Sequence, residues 1–549
     1  MDAPQTIPRT LARAAEQLAE HPAIEEGART LSYRELWLAV QRTAAALIGA
    51  GVQPGDRVAL WAPNSADWIM LALGISSAGA TLVPINTRFK AHEAGYVLAT
   101  SRAKLLCTVS EFLGTRYLEP LRAEHGGGAA LRPIAALRDL ERVVLLESDA
   151  VQPEPFVQTL ERFMASGADV SADVVQARID SVLPTHTSDI MFTSGTTGQP
   201  KGVCTTHQQN VRAYTAWCNA VGLTQHDRYL IVSPFFHAFG YKAGILACLI
   251  TGATMLPQRM FDAAQVLMRL RRERISVLPG PPTLYQSLLS HPELTVEPLP
   301  PLRLAVTGAA VVPIELIERM RDELGFQTII TGYGLTESCG IATMCRDGDS
   351  AQIIANTSGR AIEGVEVHVV DSSGRALPTG QPGEIVIRGY NVMQGYFEAE
   401  GATRAAIDEA GFLHTGDVGT LDGAGNLRIT DRLKDMYIAG GFNCYPAEIE
   451  RTMSTHPGIA QVAVIGVPDE RLGEVGMAFI VPRPGHFSGA TASWQPALHA
   501  FCRERMANYK VPRQFAVVSL LPVNAAGKVL KTQLRASAGV VQQAHAAHK

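Results

Sequence analysis

Residues 192–203 read Phe-Thr-Ser-Gly-Thr-Thr-Gly-Gln-Pro-Lys-Gly-Val, which brings hydroxyl side chains, glycines and one lysine into a single short stretch. Glycine allows backbone conformations that expose N–H groups to an anion. Ser194, Thr196 and Thr197 add hydroxyl donors, and Lys201 adds a mobile positive charge that suits phosphate. We call this stretch the triphosphate loop, because its composition predicts that it binds a triphosphate.

The triphosphate loop differs from the P-loop of kinases and ATPases. Pro200 stands where the P-loop has its second glycine, and Gly202 follows Lys201 in place of a hydroxyl residue. Residues 189–192 and 202–205 are both strand-like, so the loop is predicted to join two strands. The alternative is an ordinary surface turn, since Ser, Thr and Gly are common turn residues.

The bulk composition limits the class of protein. A chain of 549 residues is predicted to form two or more domains, because one hydrophobic core rarely serves so long a chain. Hydrophobic residues make up 46% of the sequence, which is typical of a soluble globular protein. The net charge of −4 provides no general attraction to nucleic acid or to an anionic membrane, so neither partner is expected.

Cysteine spacing and hydropathy bear on the compartment. The eight cysteines lie singly, without a Cys-x-x-Cys pair, which indicates neither a metal site nor disulfides and favours a cytoplasmic location. The N-terminus lacks the apolar core of a signal peptide. The long uncharged run at 68–87 contains Gly74, Gly79 and Pro84, so it is predicted to be a buried helix followed by a strand and not a membrane span.

Helical and strand patterns alternate along the first part of the chain. Residues 33–51 have the helical spacing of apolar residues, and residues 57–61 are strand-like. This alternation predicts an α/β fold of layered subdomains with largely parallel sheets. Short β segments from residue 365 onward predict a small β-rich unit, and a compact α+β domain is expected after it. The predicted domains are residues 1–432 and 433–549.

Further segments carry side chains suited to a nucleotide. Residues 331–337 (Thr-Gly-Tyr-Gly-Leu-Thr-Glu) offer an aromatic ring that can stack on a base, and a Thr-Glu pair whose oxygens suit Mg2+. Asp417 can accept hydrogen bonds from ribose hydroxyls, and Lys528 follows a glycine in an apolar stretch. Taken singly, a tyrosine between glycines favours a packed turn, Asp417 favours a turn aspartate, and an exposed lysine is the default for Lys528.

In this order the motifs resemble the adenylate-forming superfamily of acyl-CoA synthetases, luciferases and peptide-synthetase adenylation domains. The resemblance covers nearly the whole chain and rests on five motifs, namely the triphosphate loop and residues 333–337, 415–417, 431–435 and 527–528. Residues 383–396 and 440–450 match two further signatures. The resemblance implies a large N-terminal domain of layered α/β subdomains plus a small β-rich unit. It also implies a small mobile α+β C-terminal domain that pivots about a hinge at Lys434.

The resemblance implies roles for individual residues. The catalytic residues would be Lys528, Thr336, Glu337 and His237. ATP would be bound by Thr193, Ser194, Gly195, Thr196, Thr197, Gly198, Lys201, Gly308, Ala309, Ala310, Tyr333, Gly334, Asp417 and Arg432. Mg2+ would be held by Thr196 and Glu337, and Gly440 and Gly441 would serve the CoA step. The acyl pocket would be lined by Phe236, His237, Phe239, Gly308, Gly332 and Leu335.

The implied reaction is an ATP-dependent ligation of a carboxylic acid to CoA, with Mg2+ as cofactor and ATP and CoA as co-substrates. It proceeds through an acyl-adenylate and releases AMP and pyrophosphate. The segments 235–249, 278–283 and 471–476 resemble a bacterial subgroup that activates the propionate side chain left on the steroid C/D rings. A bulky apolar acid of this kind is the expected substrate. A medium- or long-chain fatty acid is the alternative.

Three other classes share these motifs. A carrier-protein-loading enzyme would use the same residues, although no carrier module follows here. A luciferase-type oxygenase would need only a different pocket. A nucleotide-binding module without catalysis is disfavoured by the presence of Glu337, Asp417 and Lys528. No integral membrane association is expected, and a homodimer stays open beside a monomer because exposed patches cannot be located in a sequence.

Overall fold

The computed structural model describes residues 5–126, 134–147, 156–193, 200–295, 297–308, 312–432, 435–439, 442–469, 472–487, 491–506, 508–523 and 529–546. Of residues 431–432, 442–443, 491–493 and 539–546 it describes the backbone alone. The strands are β1 Pro22–Glu26, β2 Arg29–Ser32, β3 Arg57–Trp61, β4 Thr81–Pro84, β5 Ala103–Thr108, β6 Glu111–Phe112, β7 Thr115–Arg116, β8 Arg142–Leu145, β9 Val157–Thr159, β10 Thr187–Thr193, β11 Lys201–Thr206, β12 Arg228–Ile231, β13 Thr254–Pro257, β14 Leu302–Gly308, β15 Phe326–Tyr333, β16 Thr343–Met344, β17 Arg360–Ala361, β18 Val365–Val370, β19 Gly383–Gly389, β20 Gly395–Tyr396, β21 Leu413–Leu421, β22 Leu427–Arg432, β23 Tyr437–Ala439, β24 Phe442–Cys444, β25 Ile459–Asp469, β26 Gly473–Pro482 and β27 Gln514–Val517.

The helices are α1 Ile7–Gln17, α2 Tyr33–Gly49, α3 Ala66–Ser77, α4 Ala91–Ser101, α5 Leu118–His125, α6 Leu160–Ala165, α7 Ala172–Asp180, α8 His207–Val221, α9 Ala238–Gly240, α10 Ala247–Thr251, α11 Ala263–Arg272, α12 Pro282–Leu289, α13 Ile314–Asp322, α14 Ala351–Asn356, α15 Glu400–Ala406, α16 Pro446–Ser454, α17 Thr491–Arg505 and α18 Lys531–Ala546. A π-helix spans Tyr241–Leu246, and 3-10 turns span Pro292–Thr295 and Thr336–Ser338.

The triphosphate loop belongs to a mixed sheet with the strand order β20-β11-β10-β4-β3-β5-β8-β9. The pairs from β10 to β9 are parallel, as the β/α alternation predicts, whereas β10–β11 and β11–β20 are antiparallel. Strand β4 is buried at every position, and α3 before it is buried along most of its length. The run 68–87 is therefore core, and no helix in the described ranges is long and apolar enough to cross a bilayer.

A second layer joins two smaller sheets through residue Val277. Strands β12-β13-β1-β2 and β14-β15-β16-β17 form these sheets, and Val277 makes parallel bridges to Tyr229 and to Leu304. Because β14 and β15 are parallel, their carboxyl ends lie side by side at one edge, which is the edge where open α/β sheets bind ligands. This edge carries Gly308 and Tyr333.

The predicted β-rich unit is an antiparallel sheet with the order β18-β19-β21-β22. Beyond it, β24-β23-β26-β25 form the C-terminal sheet, and β27 pairs in parallel with β26. One hydrophobic core runs from Ile7 to Leu427, and separate apolar clusters lie between Tyr437 and Ala538. The predicted α/β class, with a β-rich unit and a following α+β unit, is confirmed.

A buried ion pair connects β10, the strand before the triphosphate loop, to the π-helix. The Lys242 ammonium lies 3.0 Å from Asp189 Oδ1, and both side chains are fully buried. Lys242 also donates to Thr205 Oγ1 at 2.9 Å, and Thr205 donates to Asp189 at 2.9 Å. Ser188 and Asn210 donate to the other carboxylate oxygen. The network thus joins β10, β11, α8 and the π-helix at one point.

Lys242→Met is expected to destabilise the fold strongly, because it leaves the Asp189 carboxylate buried without its cation. Loss of one partner of a buried pair costs about 3–5 kcal/mol of unfolding free energy. Urea unfolding followed by tryptophan fluorescence measures this change. Arg404→Met is the matched control, since Arg404 pairs with Glu400 on the surface with side-chain exposures of 75% and 87%, and it should change stability little. Equal changes of the unfolding free energy in the two variants would contradict the stabilising role of the buried pair.

Candidate functional site

The strands that flank the triphosphate loop stay paired up to its ends. Thr193, the last residue of β10, lies opposite Lys201, the first residue of β11. The prediction that the loop joins two strands is therefore confirmed. Residues 194–199 lie outside the described residues, so the placement of Ser194, Gly195, Thr196, Thr197 and Gly198 stays a prediction.

Gly202 is required by packing between the two strands. A Cβ atom at this position would lie 2.7 Å from Ile190 Cγ2 and 3.1 Å from the Phe192 ring. The glycine after Lys201 is therefore explained by the close approach of β10, and not only by phosphate binding. After β11 the chain enters α8 directly, because Thr206 and Gln209 form a reciprocal capping box at its start.

Three of the residues predicted for adenosine, namely Gly308, Tyr333 and Asp417, lie at or against the carboxyl edge of β14 and β15. Gly308 lies opposite Gly332, and the next residue, Tyr333, is buried at the end of β15. The Tyr333 hydroxyl donates a 2.7 Å hydrogen bond to Asp417 Oδ2 on β21, from a position 84 residues away. The structure thus brings the predicted adenine-binding tyrosine and the predicted ribose-binding carboxylate into direct contact.

Asp417 also has a neighbour that the sequence predicted. Its backbone pairs with that of Arg432 across β21 and β22, so the two residues predicted for the ribose hydroxyls are adjacent. The Asp417 side chain is almost fully buried, at 3% exposure. A buried carboxylate needs hydrogen-bond donors, and Tyr333 supplies one of them. The Arg432 side chain lies outside the described part.

The segment after Tyr333 turns tightly. A Cβ atom on Gly334 would collide with the backbone of Gly340 and Ile341, so this position requires glycine. Thr336 and Glu337 then enter a 3-10 turn with half-buried side chains. Hydroxyl and carboxylate oxygens are ligands that Mg2+ accepts, so the donor set fits this ion. Among the described residues no group of three His, Cys, Asp or Glu side chains could hold a metal ion.

The predicted acyl pocket follows β12. Phe235 is fully buried against Trp68, with ring centroids 5.1 Å apart, whereas Phe236 and Phe239 are half-buried. A Cβ atom on Gly240 would collide with the Pro234 carbonyl. The glycine of this segment is thus fixed by a tight turn. The role of Phe236, Phe239, Gly332 and Leu335 in binding the acid stays a prediction.

His237 starts the short helix α9. Its Nδ1 accepts a hydrogen bond from the Phe239 N–H at 3.2 Å. The ring has accessible surface, and yet desolvation by surrounding protein lowers the pKa of its imidazole. His237 is therefore neutral at pH 7.

Several predicted site residues fall outside the described part of the chain, and their roles stay predictions. They are Ala309 and Ala310 for adenine, the hinge residue Lys434, the CoA-step glycines Gly440 and Gly441, and the catalytic Lys528.

Two side chains at the site received no role from the sequence. Tyr396 donates a hydrogen bond to Glu337 Oε1 at 3.0 Å, and Lys242 forms the buried pair with Asp189. Tyr396 lies inside a motif segment, but its contact with Glu337 spans 59 residues. Lys242 follows the aromatic segment 235–241 in the sequence. Its burial was not expected, because a lysine is seldom buried unless it is paired.

Comparison with known proteins gives the family. The model of the AMP-binding enzyme family matches residues 11–397, and that of the AMP-binding enzyme C-terminal domain matches residues 448–528. Two relatives are each named 3-[(3aS,4S,7aS)-7a-methyl-1,5-dioxo-octahydro-1H-inden-4-yl]propanoyl:CoA ligase. The protein from Mycobacterium tuberculosis is 48% identical over 97% of this chain and 98% of its own. The protein from Rhodococcus jostii is 46% identical over the same shares.

Solved structures agree with this comparison. An anthranilate CoA ligase in complex with anthranoyl-AMP superposes with a TM-score of 0.82 at 27% identity, covering 98% of each chain. The o-succinylbenzoate CoA synthetase of Bacillus subtilis, in complex with ATP and magnesium ion, gives a TM-score of 0.77 at 27% identity over 96% of this chain and 98% of its own. The resemblance to adenylate-forming acyl-CoA synthetases is therefore confirmed, and the chain belongs to the AMP-binding enzyme family.

Proposed function

We propose that the protein is an AMP-forming acid:CoA ligase whose substrate is the hydrindane-propionate derived from the steroid C/D rings. The observation that carries the proposal is the 46–48% identity, over nearly the full length, with two ligases named for this acid. Relatives named for other acids are less similar, such as the feruloyl-CoA synthase of Amycolatopsis at 35% identity.

The proposed reaction has two steps. A carboxylate oxygen of the acid attacks the α-phosphorus of ATP, pyrophosphate leaves, and an acyl-adenylate forms. The CoA thiolate then attacks the acyl carbon and AMP leaves. The first step brings two anions together, so neutralisation of charge is the main catalytic requirement.

The chain's own residues would meet this requirement from both sides of the nucleotide. The triphosphate loop with Lys201 would bind the β- and γ-phosphates, and Lys528 would reach the α-phosphate and the carboxylate. Thr196, Thr336 and Glu337 carry oxygens that suit Mg2+, which would neutralise phosphate charge when bound. Tyr333 would stack on adenine and Asp417 would accept hydrogen bonds from the ribose hydroxyls, and the hydrogen bond between them keeps the two side chains together.

His237 would contact the carboxylate or the adenylate as a neutral imidazole. With Nδ1 occupied by the Phe239 N–H, Nε2 carries the proton and is the donor that remains. The Nε2–H of neutral His237 can donate a hydrogen bond to an oxygen of the substrate without forming an ion pair with its carboxylate.

The small C-terminal domain would move between the two steps. In this proposal residues 433–549 rotate about Lys434, which withdraws Lys528 and brings Gly440 and Gly441 toward the acyl carbon.

Free CoA in the cytoplasm is the proposed acceptor. Mass measurement in solution distinguishes a monomer from a homodimer.

The substrate is tested with a panel of acids in the presence of ATP, Mg2+ and CoA. We expect the hydrindane-propionate to give the highest kcat/KM, with AMP, pyrophosphate and the CoA thioester formed in equal amounts. Ferulate and a medium-chain fatty acid are the matched comparisons. A higher kcat/KM for the fatty acid would overturn the assignment of the substrate. Release of ADP in place of AMP would overturn the mechanism. Formation of AMP that does not depend on CoA would indicate a carrier protein as the acceptor.

Lys528→Ala should slow adenylation by at least ~10²-fold, a typical loss for one transition-state donor. Pyrophosphate release measures this step. Thioester formation from supplied acyl-adenylate should survive. Lys90→Ala, at an exposed lysine of the large domain, should leave both steps unchanged. Equal damage to both half-reactions by Lys528→Ala would contradict the assigned role.

Tyr333→Phe removes the hydroxyl that binds Asp417 but keeps the ring. A hydrogen bond to a charged group is lost, so we expect ATP to bind about 5-fold more weakly. Calorimetric titration with ATP, without acid or CoA, measures this affinity. Tyr285→Phe is the control, because the Tyr285 hydroxyl is buried as well but donates to backbone carbonyls of Leu278 and Val306. Unchanged ATP affinity in Tyr333→Phe would contradict the nucleotide site.

A further inference from the structure

Tyr396 lies between two groups that the proposed function assigns to the same triphosphate. Its hydroxyl donates a 3.0 Å hydrogen bond to Glu337 Oε1. The ammonium of Lys201 lies 5.0 Å from the centroid of its ring, within the range of a cation–π interaction. One half-buried side chain thus contacts both the predicted metal-binding carboxylate and the predicted phosphate-binding lysine.

The backbone holds Tyr396 at both ends of this bridge. Tyr396 pairs with Val203 of β11, and the adjacent Phe397 N–H donates to the Gly202 carbonyl at 2.7 Å. On the other side, the Met393 N–H donates to the Glu337 carbonyl at 2.8 Å. Residues 393–397 therefore link two parts of the site through the backbone. They bind the turn that carries Glu337 at one end and strand β11, which follows Lys201, at the other.

The hydroxyl keeps its proton at physiological pH. An ordinary tyrosine has a pKa of about 10, so a phenol is protonated at pH 7. The phenol can therefore act only as a donor to the carboxylate. Tyr396 thus donates to Oε1 of Glu337, and no residue that the structure describes donates to Oε2.

We propose that Tyr396 is a positioning residue for the metal–triphosphate site. Its hydroxyl restrains the orientation of Glu337, whose other oxygen would bind Mg2+, and its ring restrains the Lys201 ammonium at the start of β11. The inference rests on the proposed function, because it takes Glu337 as a metal ligand and Lys201 as a phosphate ligand.

Two substitutions separate the two contacts. Tyr396→Phe keeps the ring and removes only the hydroxyl, whereas Tyr396→Leu removes both. Tyr390→Phe is a matched control from the same segment. Its hydroxyl also donates to an oxygen, the Glu363 carbonyl at 3.1 Å, and a cation, Arg212, also lies over its ring at 3.9 Å.

The readout is ATP binding by calorimetry without acid or CoA, first in EDTA and then at increasing Mg2+. In Tyr396→Phe the Mg2+ concentration that gives half-maximal enhancement of ATP binding should rise about 5-fold, while ATP affinity in EDTA stays at the wild-type value. Tyr396→Leu should in addition weaken binding in EDTA about 3-fold, because Lys201 loses the ring. Tyr390→Phe should match the wild type in both conditions.

Glu337→Gln separates this inference from the function on which it rests. If Glu337→Gln keeps the wild-type Mg2+ dependence, then the metal role of Glu337 is wrong and the inference falls with it. If Glu337→Gln loses that dependence but Tyr396→Phe keeps it, then Tyr396 alone is wrongly assigned. An equal loss of ATP affinity in EDTA for Tyr396→Phe and Tyr396→Leu would also overturn the inference, since it would indicate a general loss of structure.

Discussion

The ion pair between Asp189 and Lys242 determines how the two halves of the candidate site meet. Asp189 lies on the strand that leads into the triphosphate loop, and Lys242 follows the aromatic segment predicted to line the acyl pocket. Burial of two charges is costly, and the cost is met only when both are paired and hydrogen bonded. Thr205, Ser188 and Asn210 provide those bonds. The strand that leads into the triphosphate loop and the segment that follows the predicted acyl-pocket residues are therefore joined by this buried network.

Around this junction the structure brings together groups from distant parts of the chain. Tyr333 meets Asp417, and Tyr396 meets both Glu337 and Lys201. In each case a tyrosine donates to a carboxylate, which restricts the orientation of that carboxylate. Such preorganisation suits a reaction whose main difficulty is the approach of two negative charges, because oriented groups need no rearrangement as charge develops.

Much of this arrangement could be predicted from local sequence. Strand–loop–strand at residues 189–205, the buried character of the run 68–87, and the β-rich unit after residue 365 all follow from composition and periodicity, and they are confirmed. The contacts of Tyr396 and Lys242 could not be predicted, because they depend on which strands pair and which helix covers them. Gly202 and Gly240 show the same limit, since their close neighbours come from packing that a motif does not reveal.

If the carboxylate of the acid attacks the α-phosphorus of ATP, one of its oxygen atoms ends in AMP, and the fate of that oxygen tests the activation step directly. The hydrindane-propionate, carrying heavy oxygen in both carboxylate positions, is incubated with the protein, ATP, Mg2+ and CoA. The mass of the nucleotide product is then measured. We expect AMP that carries one heavy oxygen atom from the acid. Unlabelled AMP, or ADP together with labelled phosphate, would contradict it.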